Sequence, residues 1–159
     1  TPVTKGELLL SKLLPYYGLG IAAMLICLLC SVAVMGVPWR GSLISLFVLT
    51  TLFLGSALGL GLFLSTVMRS QFNAAQAALT AAFLPAMMLS GFVFEIASMP
   101  PLLRVITHLI PARYFASSLQ TLYQAGNVLS ILLVNGVCLL LLAAFWLALT
   151  ARKTRRTLE

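Results

Sequence analysis

Long apolar runs broken by short polar links set the pattern of this chain. Four windows, residues 13–37, 43–68, 72–94 and 127–150, are predominantly apolar over their whole length. A helix rises about 1.5 Å per residue, so about 20 apolar residues cross the roughly 30 Å hydrocarbon core of a bilayer. The pattern therefore predicts an all-α membrane protein with four transmembrane helices. The links after the first and second windows are short, whereas the link at residues 95–126 is long.

Around that long link, residues 90–115 read SGFVFEIASMPPLLRVITHLIPARYF. Pro100, Pro101 and Pro111 bracket a stretch with Leu102, Leu103, Ile106, Leu109 and Ile110 at helical spacing. A second amphipathic segment, ARYFASSLQTLYQAGN, follows. Neither is long enough to span. The expectation is a helical hairpin at about 100–126 that re-enters the outer leaflet or lies on it, its polar groups satisfied by neighbouring helices or water. A plain surface loop is the alternative. At the other end, TPVTKGELLLSKLLPYY reads as an amphipathic helix on the inner surface that turns at Pro15 into the first span, or as an unstructured lead-in.

Composition agrees with the pattern. Of 159 residues, 61% are hydrophobic and 8% charged, against about half and about a quarter in soluble domains. The net charge of +7 carries topology rather than nucleic-acid affinity, since no basic patch on a soluble fold accompanies it. Lys5, Lys12, Arg69, Arg152, Lys153, Arg155 and Arg156 fall on one side of the predicted spans; Arg40, Arg104 and Arg113 fall on the other. The positive-inside rule makes the first side cytoplasmic. An even number of spans independently puts both termini together. Tyr16, Tyr17, Trp39, Phe92, Phe94, Phe145 and Trp146 lie near predicted boundaries, where interfacial aromatics belong. The chain starts at Thr1 with no secretory leader pattern, and the expectation is a single transmembrane domain, residues 1–159, from a longer protein.

Motifs for chemistry are few. There is no G-x-x-x-x-G-K-[ST] for ATP, no H-E-x-x-H, no paired carboxylates and no metal-spaced His/Cys set. A catalytic site and a bound metal are not expected. Cys27 and Cys30 form a C-x-x-C inside an apolar helix and read as small apolar positions. No span carries an ionisable residue at its middle, which weighs against ion-coupled cation/proton antiport, the alternative function. In the third span Asn73, Gln76, Thr80, Phe83, Met87 and Ser90 recur at steps of three or four and share one helical face. Polar groups in a span face protein or water. This face is either a substrate path or subunit interface, or hydrogen-bonded bundle packing. Gly55-x-x-x-Gly59 in the second span permits close helix approach, within the bundle or across a homodimer seam.

These residues, in this order, resemble the C-terminal part of an ABC-2 type permease. The specific blocks are LSGFVFEIASMP and IPARYF, with RSQFNAAQ before them and a basic tail after the last span. The similarity covers the whole chain and is nearest to multidrug-efflux permeases of enteric bacteria. Such permeases have six spans; a first span, a large extracytoplasmic loop and a second span would precede this sequence. The resemblance implies a subunit of an exporter in the bacterial inner membrane, working as a permease dimer of identical or paralogous chains with a separate ATP-binding subunit that holds ATP and Mg. Exported compounds would be amphipathic drugs, or lipid or polysaccharide. Asn73, Gln76, Thr80, Phe83 and Met87 would line the path. Met88, Phe92 and Phe94 would form the outer gate, and Glu95, Arg104, His108 and Arg113 the exit rim. Thr1, Pro2, Lys5 and Glu7 would belong to the segment that couples to the ATPase.

Overall fold

The computed structural model describes residues 4–83, 87–88 and 95–156. The sequence expectations for Thr1, Pro2, Phe92 and Phe94, and for Ser90 on the third-span face, lie outside these residues, as do the side chains of Lys5 and Phe83. All regular structure among the described residues is helical. Three helical stretches, Gly6–Val34, Leu43–Val67 and Leu129–Lys153, are long and apolar enough to cross a membrane.

Helix α1 (Lys5–Leu29) opens on a capping box. The Thr4 amide donates to Glu7 Oε2 at 3.0 Å, and the Glu7 amide to Thr4 Oγ1 at 3.4 Å, which satisfies two otherwise orphaned donors. The expected turn at Pro15 is absent, and with it a separate surface segment: α1 runs unbroken through Pro15. A proline removes one N–H from the ladder, and the long apolar run on both sides of it supports helix throughout. A π-helical turn, Cys30–Val34, extends α1. Cys27 and Cys30 are exposed and free.

Helix α2 (Leu43–Val67) starts at Ser42, whose hydroxyl accepts from the Ile44 amide. Helix α3 (Gln71–Ala77) starts at Ser70, whose hydroxyl accepts from the Asn73 amide, and passes into a π-helical turn, Ala78–Phe83. After a 3₁₀ turn, Ile96–Ser98, come α4 (Pro101–Thr107), α5 (Pro111–Gln124) and α6 (Leu129–Arg156). Pro101 and Pro111 each stand in the first turn of a helix, where the missing N–H costs nothing. The prolines therefore start α4 and α5.

Helices α2 and α6 pack side by side and run parallel. Gly136 of α6 faces Leu49 and Leu52 of α2, Gly55 faces Ala143, and Gly59 faces Trp146 and Leu147. Thr150 Oγ1 donates to Gly59 O at 3.4 Å. The Gly55-x-x-x-Gly59 face is thus occupied by α6 within the chain, which decides for bundle packing over a homodimer seam through these glycines. Helix α1 runs antiparallel to α2: Leu13 and Tyr16 share a cleft with Leu58 and Leu62, while Met24 and Leu28 share one with Leu46 and Thr50. Leu46, Leu49, Leu122, Leu132 and Leu139 form the buried core where α2, α5 and α6 meet.

Helix α5 lies between α1, α2 and α6. Phe115 stacks on Phe53 with ring centres 4.4 Å apart. Ser117 Oγ accepts from Asn135 Nδ2 at 3.3 Å, and Leu122 sits against Gly41. The ends of the bundle interlock here. Tyr123 OH meets Ser31 Oγ at 2.7 Å and its ring meets Trp39 edge-on. Arg40 donates to Gln124 O, and the Ser42 amide to Asn127 Oδ1. Gly126 has φ +81°, and a Cβ there would lie 3.0 Å from Arg40 O. Gly126→Ala is expected to cost at least about 1–2 kcal/mol from the left-handed backbone alone, seen as a lower thermal midpoint of the purified protein.

Candidate functional site

Two surfaces carry the polar residues singled out by sequence. The first is α3. Asn73, Gln76 and Thr80 are all exposed, as are Met87 and Met88. α3 itself packs against α2. Among the described residues, packing against α2 buries none of these three polar side chains.

The second surface is a cleft of about 610 Å³ between the start of α5 and the first turns of α6. Glu95, His108 and Arg113 line it, with Tyr114, Ser117, Gln120, Val134, Asn135 and Cys138. Arg104 stands behind the wall: its Nη2 donates to Ala97 O at 2.8 Å and Met99 O at 3.4 Å, tying the 3₁₀ turn to α4. Its carbonyl accepts from Thr107 Oγ1 at 2.6 Å. Arg113 Nη1 donates to Thr107 Oγ1 and, at 3.1 Å, to His108 Nδ1. Thr107 and Arg113 thus satisfy the Arg104 carbonyl in the last turn of α4, where a cation is favoured, whereas the Arg104 side chain binds carbonyls that precede the helix. His108 Nδ1 also lies 3.0 Å from Arg104 O. A nitrogen that accepts from Arg113 carries no proton to donate to that carbonyl, so these two bonds exclude each other.

Tyr114 OH donates to His108 O at 3.0 Å. Burial pushes the Tyr114 phenol up from its ordinary value, Cys138 adds to the rise and Arg113 opposes it. The phenol therefore stays a neutral donor at neutral pH.

Of the residues named from sequence, the structure brings together Glu95, His108 and Arg113, with Arg104 holding their frame. It leaves Asn73, Gln76 and Thr80 each exposed. Glu7 caps α1. Sequence reasoning missed Tyr114, Ser117, Gln120 and Asn135. Asn135 left a signal, a lone amide in the run LSILLVNGVCLLLL.

The pattern of the ABC-2 family transporter protein matches residues 1–152. The chain belongs to the ABC-2 family of transporter proteins. It is 56% identical, over all 159 residues, to the "Probable multidrug ABC transporter permease YbhS" of Escherichia coli strain K12. The identity to the protein of the same name in Escherichia coli O157:H7 is also 56% over the same length. In both cases the whole of this ABC-2 chain is covered, and it spans 42% of the relative's length. No solved structure matches it.

Proposed function

We propose that this chain is part of the permease subunit of a bacterial ABC exporter, moving amphipathic drugs or similar compounds out of the cytoplasm on ATP hydrolysis by a separate subunit. The carrying observation is its 56% identity, end to end, to a relative named as a probable multidrug ABC transporter permease. ATP and Mg would be held by the ATP-binding partner, and a second permease would complete the pathway.

A four-span topology is supported by the parallel packing of α2 and α6. Helix α2 is 25 residues long, about 37 Å at 1.5 Å per residue. The chain leaves α2 at one end of the bundle and enters α6 at the other, so the segment from Met68 to Val128 must travel that length. Residues 72–94 are long and apolar enough to do so. With the basic residues placed as the sequence has them, both termini face the cytoplasm of the inner membrane.

A re-entrant hairpin is supported by depth. Phe53, the stacking partner of Phe115, is ten residues past Leu43, about 15 Å below the end of α2. Helix α5 then climbs to Gly41 at the end itself. A start half-way into a roughly 30 Å core is deeper than a surface helix would lie.

The exposure of Asn73, Gln76 and Thr80 supports the path or the permease interface, to which the sequence spacing adds Phe83 and Met87. Met88, Phe92 and Phe94 remain the proposed outer gate, and Glu95, Arg104, His108 and Arg113 the exit. Thr1, Pro2, Lys5 and Glu7 stay the proposed coupling segment. Co-purification of the intact transporter tests the assignment. The ATP-binding subunit should copurify, with hydrolysis stimulated several-fold by the permease; a permease that neither retains nor stimulates it contradicts the proposal.

One observation favours a second reading. The hairpin carries His108, a titratable group, to the depth at which ion-coupled carriers keep theirs. Under that reading a pH gradient alone would drive transport.

A further inference from the structure

The cleft beside Arg113 is placed where charge is costly, and its lining has a definite chemistry. Asn135 and Cys138 are six and nine residues past Leu129, about 9 and 14 Å along α6. Ionisable side chains at such depth mark functional sites far more often than they do on a surface. Every hydrogen bond from the Arg113 guanidinium to a described residue leaves from Nη1. Its Nε and Nη2 are thus uncommitted among the described residues. With Nδ1 accepting from Arg113, neutral His108 carries its proton on Nε2 and offers a donor there. Ser117 Oγ accepts from Asn135, which frees the Ser117 hydroxyl proton to donate. The wall therefore presents a cation and several donors around one cavity, with Glu95 as its carboxylate.

We infer that this cleft is a binding site for the phosphate group of an amphiphile, held by Arg113 with His108 and Ser117. A phosphate offers the many acceptor atoms that such a donor set needs, and a guanidinium matches it in two-point geometry. Capping α4 explains one edge of Arg113. It does not explain a donor-lined cavity of about 610 Å³, large enough for a headgroup. The inference deepens the exporter reading by naming a ligand class, and it rests on that reading only for the depth of the hairpin.

Cys138 supplies a reporter on the cleft wall. The test uses the full chain with Cys27→Ser and Cys30→Ser, in maltoside micelles, which carry no phosphate. It follows the rate at which a maleimide modifies Cys138. Lysophosphatidic acid should slow that rate, and a monoacylglycerol with the same acyl chain should not. Arg113→Gln should raise the concentration needed for protection about tenfold or more, Arg113→Lys should raise it less, and Glu95→Gln should lower it by removing a like charge. Inorganic phosphate protecting at the same concentration would assign the site to free phosphate instead of a headgroup. Equal protection by the monoacylglycerol would overturn the inference. Should Arg113→Gln fail to fold, the charge change at Glu95 decides, and no shift there overturns it. Loss of protection alongside intact stimulation of the ATPase would remove this site and leave the exporter standing.

Discussion

Gly59→Leu is expected to unseat α2 from α6 and leave a protein that does not hold its fold in detergent. A Cβ at Gly59 already lies 3.2 Å from Trp146 Cβ and 3.3 Å from Leu147 Cγ. The Trp146 atom is bound directly to the backbone and cannot swing aside. Gly59→Ala alone should cost about 1–3 kcal/mol, the usual range for overpacking. That corresponds to a fall of about 2–4 °C in Tm for each kcal/mol. The leucine adds three more carbons in the same direction, beside the carbonyl that accepts from Thr150. Gly61→Leu is the control. Nothing lies within 4 Å of a Cβ there, so its Tm should stay with the wild type. If the two variants melted together, the α2–α6 seam would be wrong, and the topology argument built on its parallel sense would go with it.

Gln76→Leu is expected to reduce drug efflux about tenfold, the effect of roughly 1.4 kcal/mol lost from the transporting complex, while leaving Tm unchanged. Asn73→Leu should behave the same way. The separation of the two readouts is the point. Both side chains are exposed in the isolated chain, so removing their amides takes nothing from its packing. In the proposed transporter their partners are water in a path or a second subunit. Met87→Ala should lower efflux less, since it trims a flexible thioether side chain rather than a side-chain amide. Were the face bundle packing instead, Tm would fall first and efflux would follow the amount of folded protein. If all three variants left both efflux and basal ATPase untouched, this face would have no part in transport.

The long apolar helices were legible because lipid imposes a single rule on long runs. Residues 43–68 were expected to form a span, and α2 covers Leu43–Val67; residues 127–150 were expected, and α6 covers Leu129–Arg156. A different rule misled at Pro15. A soluble-protein reading of proline predicts a turn, but prolines are tolerated within long apolar helices, and α1 runs unbroken through this one. At Pro101 and Pro111 the sequence marked the bounds of a short helix, and the structure adds that each proline stands in the first turn of one. The glycine pattern left two uses open, since spacing alone does not say which helix fills the groove. The cleft was the least legible feature. His108, Arg113 and Asn135 are separated along the chain and lie on three different segments. They meet only because α5 climbs antiparallel to α6, with Ser117 opposite Asn135. No periodicity within one helix carries that information. Asn135 by itself, a single amide in an apolar run, was the one local sign.

The most direct measurement of the central claim is transport in inverted membrane vesicles that contain the complete permease and its ATP-binding subunit, with the pH gradient collapsed. The account predicts that an amphipathic drug accumulates inside the vesicles when ATP and Mg are added, and that accumulation stops when the ATP-binding subunit is omitted. Accumulation driven by an imposed pH gradient, without ATP and without that subunit, would contradict it.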